Sequence, residues 1–284
     1  MTMSMTTTAE PAHKATGQVA PARSMSLGRE LAQLYRKDLG QLVFTLVLFS
    51  VLILAWEVFL FTRIGHWPEG VPFGLSFIPL GFIPLWTVWD AISSYRSEWH
   101  NGTVYLMLSL PTAGWKQAAS KLAAVMTSFT LQCLLTLGGV WFVMMGEARI
   151  SEDTLSVLRT IPRHWLASTG LQAGLALWLF GLGLVVLVQA AYVVSRLAQR
   201  WQFVAMLGAL FAGGWITVRL GGLGHYLFGW VPRLSLTGLA GSPGNFHIVR
   251  NAAYVDTGVL IGWGLAGLLF FGLTIWLLQH VVEV

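Results

Sequence analysis

The chain has 284 residues, of which 55% are hydrophobic and only 10% are charged, whereas charged residues make up about 25% of an ordinary soluble domain. This composition excludes a water-soluble globular protein. The formal net charge of +5 does not indicate nucleic-acid binding, because the basic residues stand singly between apolar runs instead of clustering on one face.

The N-terminal stretch, residues 1–26, is polar and rich in Thr, Ala and Pro, so we expect a disordered cytoplasmic tail. Residues 27–284 are expected to form a single transmembrane domain. This domain begins with Leu27, Leu31 and Leu34 on one helical stripe and with charged residues on the opposite stripe. The pattern predicts an N-terminal interfacial helix that lies on the inner leaflet before the chain turns into its first span.

Six apolar runs follow, each long enough to cross a bilayer, for which a helix needs about 20 residues. Backbone polar groups must be paired within each run in hydrocarbon, so helices are predicted and strands are not. The predicted spans cover residues 39–61, 71–89, 122–146, 165–195, 201–218 and 257–282. The second contains several prolines and should be kinked. The predicted fold class is an all-α membrane protein with six transmembrane helices.

Two connections on the predicted outer side are expected to have defined structure. Ser151 begins a short outer helix with acidic residues in its first turn, and Pro162 ends it. The connection before the last helix, residues 220–254, is long, rich in Gly and half apolar. It is predicted to be partly re-entrant, dipping into the membrane where protein shields it.

Lys and Arg are more frequent in the segments on the N-terminal side of the membrane than in those on the other side, and the contrast is strongest around the first span. The positive-inside rule therefore predicts a multi-pass protein of the cell membrane with both termini in the cytoplasm.

The connection between the second and third spans carries the most specific pattern. Residues 97–111 read SEWHNGTVYLMLSLP, and a basic residue, Lys121, follows. The segment resembles the corresponding loop of the ABC-2 type permeases, the membrane subunits of ATP-binding cassette (ABC) transporters. In that loop an acidic residue, a Gly-Thr pair, a Leu-rich turn and a Ser-x-Pro precede the third helix. The matching positions are Glu98, Gly102, Thr103, Leu106, Leu108, Ser109 and Pro111.

The resemblance implies that this connection is a cytoplasmic coupling helix, which docks on a soluble ATPase. On a helix the segment has two stripes, one for the membrane surface and one for a partner: Trp99, Thr103, Leu106 and Leu110 form the first, and Glu98, Asn101 and Tyr105 the second. A plain amphipathic connector stays open as the alternative. The expected docking residues are Glu98, Trp99, Asn101, Gly102, Thr103, Tyr105, Leu106, Ser109, Leu110 and Pro111.

The sequence contains no G-x-x-x-x-G-K-[ST] motif, so it has no loop of this kind to hold nucleotide phosphates. The resemblance therefore implies that ATP and Mg²⁺ are bound by a separate ABC ATPase subunit, with no cofactor and no catalytic site on this chain. It also implies a second permease chain, identical or homologous, and export of a hydrophobic or amphipathic substrate such as a drug, a peptide antibiotic, a lipid or a glycan. Membrane lipid is an expected partner and nucleic acid is not.

Glu57 and Asp90 are the acidic residues nearest the hydrocarbon, and intramembrane charge is a functional hypothesis by default. Both are therefore candidates for a substrate pathway. An interfacial or paired role is the alternative, in which Asp90 faces a basic group such as Arg96. No His or carboxylate spacing typical of a metal site occurs, so we expect no metal.

Small residues in the fifth span, Gly208, Ala212 and Gly213, form a face on which another helix could pack. The resemblance implies that the first and fifth helices meet a second permease chain. Two G-x-x-x-G pairs, at residues 170–174 and 258–262, fit packing within one chain and packing between two chains equally well.

Two other classes of protein remain open. An ion-coupled secondary transporter would be expected to have broken helices near the bilayer midplane, and only the second span is conspicuously interrupted. An intramembrane enzyme would need a nucleophile or a metal cluster at bilayer depth, and the sequence contains no H-E-x-x-H motif.

Overall fold

The computed structural model describes residues 27–100, 114–150, 163–198, 200–232, 234–242 and 245–280. The predicted tail and the predicted outer helix that begins at Ser151 lie outside these residues. The helices in the described part are α1 (Leu27–Arg63), α2 (Val71–Leu75), α3 (Ile78–His100), α4 (Gly114–Ile150), α5 (Arg163–Ser195), α6 (Gln202–Leu227) and α7 (Thr257–His280). Two strands, β1 (Leu234–Ser242) and β2 (Asn245–Val255), connect α6 to α7.

The described residues form six segments that are long and apolar enough to cross a membrane, with α2 and α3 counted as one. Their positions overlap the six predicted spans, so the prediction of six helices long and apolar enough to cross a membrane is confirmed.

Helix α1 differs from the prediction, because it runs without a break over 37 residues. Its first turns do not form a separate interfacial helix. They pack against α4, where Lys116 donates to Glu30 at 2.6 Å and the Tyr35 and Thr127 hydroxyls lie 3.0 Å apart. Glu30 and Tyr35 of the amphipathic stretch therefore have partners on a neighbouring helix, whereas Arg29 and Arg36 are exposed.

The second span is broken between α2 and α3, and proline explains the break. Pro79 has no N–H to donate to the carbonyl of Leu75, four residues earlier. That carbonyl accepts a hydrogen bond of 3.1 Å from the Trp56 indole of α1 instead. The neighbouring helix thus supplies the donor that the proline removes, as the hydrocarbon region requires.

The connection between α6 and α7 is an antiparallel β-hairpin, paired from Leu234 with Val255 to Ser242 with Asn245. The predicted re-entrant segment is not confirmed, because these residues form two strands whose depth in a membrane is not tested, and the all-α description is incomplete. An open two-stranded hairpin leaves the outer edge of each strand unpaired. Hydrocarbon cannot satisfy such edges, so the hairpin belongs outside the lipid core unless protein covers it.

Two helix pairs organise the bundle. Helices α1 and α4 run parallel, since contacts of α1 residues in chain order meet α4 residues in the same order, from Glu30 with Lys116 to Phe61 with Phe142. Helices α6 and α7 run antiparallel. The core lies between α1, α3, α4 and α5, where Leu42, Phe129 and Val185 are buried. Helix α4 is the most buried span and α6 the least.

Candidate functional site

A cluster of buried charges joins the N-terminal ends of α1 and α4 to the C-terminal end of α3. The ammonium group of Lys121 lies 2.9 Å from Glu98 Oε2 and 3.4 Å from Asp38 Oδ1. The side chains of Lys121, Glu98 and Asp38 are 1%, 2% and 4% exposed. Such charges are tolerated away from water only when each has a partner of opposite sign and further hydrogen bonds.

Those additional partners are present. Lys37, which is half exposed, donates to Glu98 Oε1 at 3.0 Å. The Ser120 hydroxyl donates to Asp38 Oδ2 at 2.5 Å, and Lys121 donates to the Ser94 carbonyl at 2.9 Å. We call Lys37, Asp38, Glu98 and Lys121 the charge cluster. Its two positive and two negative groups balance, so no uncompensated charge is buried.

Aromatic side chains tie the same end of α3 to α5. The Trp99 ring lies 6.0 Å from the Tyr192 ring, and the Arg196 guanidinium lies over both rings, 5.3 Å from the first centroid and 4.8 Å from the second. Gly114, the first residue of α4, faces α7, because a Cβ added there would lie 3.1 Å from Gln279 Cγ. The residues that flank 101–113 therefore contact α1, α5 and α7.

These contacts bear on the predicted docking residues. Glu98 and Trp99 end α3, and the other predicted docking residues, from Asn101 to Pro111, lie outside the described residues. Glu98 is buried in ion pairs, and not on the surface stripe where the prediction put it. Its side chain acts inside the bundle, while docking by this connection stays a prediction.

Asp90 lies deeper in the bundle and is 1% exposed. Its carboxylate lies 2.9 Å from the Ser128 hydroxyl of α4 and 3.3 Å from the Thr45 hydroxyl of α1. Arg96 is exposed, so the suggested pairing of Asp90 with Arg96 is wrong. Asp90 is held by hydroxyl groups of two other helices.

Glu57 is 3% exposed, and neither of its carboxyl oxygens has a hydrogen-bond partner among the described residues. It lies against Gly139 of α4, where an added Cβ would be 2.6 Å from Glu57 Cδ. The missing side chain at Gly139 makes the room that the Glu57 carboxyl occupies. The structure thus places Glu57 and Asp90 at separate positions along the α1–α4 pair and does not bring them together.

The predicted small-residue face divides in two. Gly213 is buried against Leu187 of α5, so it packs within the chain. Gly208 and Ala212 are exposed, and nothing lies within 4 Å of a Cβ added at Gly208.

The G-x-x-x-G pair at 258–262 packs within the chain on α6, since a Cβ at Gly262 would lie 2.8 Å from the Cα of Gly221. A Cβ added at Gly170 or at Gly174 would meet nothing within 4 Å among the described residues. Packing inside the described chain therefore does not explain this pair.

At the N-terminal end of α7, Asp256 accepts a hydrogen bond of 2.9 Å from the Gly258 N–H and a second one from His225 of α6. The carboxylate therefore caps α7. The His225 hydrogen bond holds the pKa of Asp256 below its ordinary value, because both interactions favour the ionised form.

Sequence reasoning missed Asp38 and Lys121 as members of one cluster. Both residues stand at the edge of an apolar run; Asp38 served only as the boundary of a predicted span, and Lys121 only as a boundary and as the basic residue after the loop. The sequence did show a charged residue directly beside a span on each of two helices, which could have suggested a pair. Which residues pair depends, however, on how the helices pack.

The fold and these sites define a multi-pass α-helical membrane protein with a paired charge cluster at one end and two buried carboxyl groups farther along the bundle. Its class can be named no more closely by comparison, since no protein-family model, no curated protein and no solved structure matches the chain.

Proposed function

We propose that this chain is the transmembrane permease subunit of an ATP-binding cassette transporter. Its connection at residues 101–113 docks on a cytoplasmic ATPase subunit, both termini lie in the cytoplasm, and a second permease chain completes the pathway. ATP and Mg²⁺ act on the ATPase, and this chain converts the motion of the ATPase into a change of helix positions.

The observation that carries the proposal is the set of contacts on both flanks of this connection. Glu98, just before it, is ion-paired to α1 through Lys37 and to α4 through Lys121. Trp99 contacts α5, and Gly114, just after it, lies on α7. A force applied to the connection, which joins α3 to α4, therefore reaches three other helices, α1, α5 and α7, through these contacts. An amphipathic connector with no partner would need no such attachment.

Two features make the attachment suitable for transmission. The charge cluster is neutral, and three of its four side chains are buried, so separating Lys121 from Asp38 and Glu98 would weaken the pairing of buried charges at a cost of several kcal/mol. Helices α1, α3 and α4 are therefore expected to move together at this end. A change of state then requires differential contacts with the ATPase, which we propose that the connection makes.

The apolar surface supports the choice of a hydrophobic or amphipathic substrate. A shallow, open groove of about 390 Å³ lies mainly on α4, lined by residues such as Met126 and Leu134, with Trp178 of α5 at its side. A cargo that partitions into the bilayer could reach such a groove from the lipid without entering water. Drugs, lipids, glycans on lipid carriers and amphipathic peptides have this property.

The docking proposal is tested by cross-linking from a single cysteine. Cys133 is the only cysteine of the chain, so Cys133→Ser provides a cysteine-free background. Tyr105→Cys in this background should cross-link to a polypeptide that carries a P-loop, identified by mass spectrometry. The matched control is Phe44→Cys, because Phe44 is 76% exposed within a span and should lie out of reach of a cytoplasmic ATPase, so it should not cross-link to a polypeptide with a P-loop.

The same variant tests the sidedness. A membrane-impermeant maleimide should label Tyr105→Cys in inverted vesicles and not in intact cells. Labelling from outside, or cross-linking only to proteins without a P-loop, would refute the proposal.

An ion-coupled secondary transporter is the second candidate, and the buried Asp90 with its hydroxyl partners favours it, since carboxylates at membrane depth recur in ion pathways. Transport into inverted vesicles separates the two. Transport that needs ATP with the ion gradients collapsed supports the permease. Transport that follows an imposed ion gradient without ATP supports the second candidate.

A further inference from the structure

The buried polar group around Asp90 contains more oxygen acceptors than its hydrogen atoms can satisfy. Thr45 of α1, Asp90 of α3, and Ser128 and Gln132 of α4 form this group, which we call the oxygen cluster. Asp90 and Ser128 are each 1% exposed and Gln132 is 0% exposed. A buried acceptor with no donor is costly, so each one needs an explanation.

Counting the donors exposes the deficit. The Thr45 hydroxyl has one hydrogen, and its shorter contact is the 2.7 Å bond to the Leu42 carbonyl. The 3.3 Å contact between Thr45 and Asp90 Oδ1 is therefore the weaker share of a hydrogen atom that the Leu42 carbonyl also accepts. Ser128, at 2.9 Å from Asp90 Oδ2, is the stronger donor to the carboxylate.

Gln132 adds a second unsatisfied acceptor. Its amide nitrogen donates to the Ser128 hydroxyl at 3.4 Å, and its amide oxygen has no partner among the described residues. This side chain is therefore fully buried, and its amide oxygen has no donor. Side-chain oxygen atoms of Thr45, Asp90 and Ser128, from three helices, lie together with no ion pair to Asp90 in the described contacts.

We propose that the oxygen cluster binds one monovalent cation, a sodium ion. Oxygen is the ligand that hard cations prefer, and the cluster offers carboxylate, hydroxyl and amide oxygens. Its single carboxylate balances one positive charge, whereas a divalent ion would leave net charge buried at high cost. In keeping with this charge count, the described residues contain no group of three or more His, Cys, Asp or Glu that could hold a metal ion.

The location separates this site from the charge cluster. The rise of about 1.5 Å per residue along α1 and α4 puts the oxygen cluster about 10 Å deeper in the bundle than Asp38 and Lys121. The charge cluster is internally neutral, so it does not supply the missing charge. A cation held between α1, α3 and α4 would fix the packing of these three spans. This inference is independent of the proposed function, because neither ATP nor a partner takes part.

The test measures thermal unfolding of the full-length chain, purified in detergent, in NaCl and in choline chloride at equal ionic strength. Sodium should raise the unfolding midpoint with a saturable dependence on concentration, as a ligand of the native state does. Asp90→Asn should abolish this response. Thr45→Val, which keeps the carboxylate and the shape of the side chain, should raise the apparent Kd for sodium by roughly tenfold.

Glu57→Gln is the matched control, since Glu57 is another buried carboxyl of the membrane region outside the oxygen cluster. This variant should respond to sodium as the wild type does. If Asp90→Asn does not fold, Thr45→Val and binding of radioactive sodium to the wild type still decide the question. The proposal is overturned if sodium and choline act alike on the wild type, if Thr45→Val responds as the wild type does, or if the midpoint follows pH and ignores sodium, which would identify a proton as the occupant.

Discussion

Replacing Lys121 with methionine is the sharpest test of the charge cluster. Lys121 is 1% exposed and is the only residue that contacts both Asp38 and Glu98 in the described ion pairs. Methionine fills a similar volume without charge, and the two carboxylates lose their common partner. Breaking a buried pair in this way costs about 3–5 kcal/mol. Glu98 keeps its contact with Lys37, and Asp38 keeps its contact with Ser120. We therefore expect a loss of unfolding free energy at the lower end of this range, about 3 kcal/mol.

The measurement is reversible unfolding by sodium dodecyl sulfate in mixed micelles, followed by fluorescence of the Trp residues. Lys116→Met is the matched control, because Lys116 lies on the same helix and its pair with Glu30 is partly exposed, at 16% and 30%. That pair should contribute no more than about 1 kcal/mol. The reasoning is refuted if Lys121→Met loses no more stability than Lys116→Met does. A triple variant that also carries Asp38→Asn and Glu98→Gln should recover part of the loss, because no buried charge is then unpaired.

Two further predictions concern close packing and acid stability. Gly139→Ala should cost about 1–3 kcal/mol by overpacking against Glu57, whereas Gly138→Ala, where an added Cβ meets nothing within 4 Å, should change stability by less than about 0.5 kcal/mol. The same micelle titration measures both, and equal losses would contradict the proposed contact. Asp256 has a pKa below 3.8 in the native protein because of its bond from His225. Its contribution is therefore complete above pH 3.8 and is lost as the pH falls through the native pKa. The melting temperature should therefore fall in this acid range, and Asp256→Asn should remove that part of the fall. If the melting temperature of the variant falls as much as that of the wild type, the proposed role of Asp256 is wrong.

The six spans could be predicted because crossing a membrane is a local property of an apolar run. The break in the second span could also be foreseen, since proline removes a helix donor wherever it stands. Its repair by Trp56 could not, because the donor comes from another helix. The hairpin was missed for a similar reason. Residues 234–242 are rich in small residues and lack clear alternation, so strand pairing with residues 245–255 leaves little trace in the local pattern.

The residues of the candidate site could also be predicted only in part, because local sequence indicates which residues are unusual but not which residues they contact. Asp90 and Glu57 stand out in the sequence as acidic residues beside apolar runs, and the structure buries both of them. Their surroundings depend on which helices meet. The amphipathic pattern at the start of α1 suits a headgroup layer and a polar neighbouring helix equally well, so it cannot distinguish the two. The ion pairs between Lys121, Asp38 and Glu98 join residues far apart in the chain, and only the packing of α1, α3 and α4 brings them together.

The length of α1 and α4 has a mechanical consequence. Each has 37 residues and is therefore about 55 Å long, while the hydrocarbon layer is about 30 Å thick. The two parallel rods are joined by ion pairs at the end that carries Glu30 and Lys116, and because they are longer than the layer is thick we expect this end to project beyond the lipid as a double stalk. A tilt of about 10° about the bilayer centre would carry the tip of this stalk sideways by about 5 Å. A small tilt within the lipid thus moves the tip far enough to change its contacts with any molecule bound there.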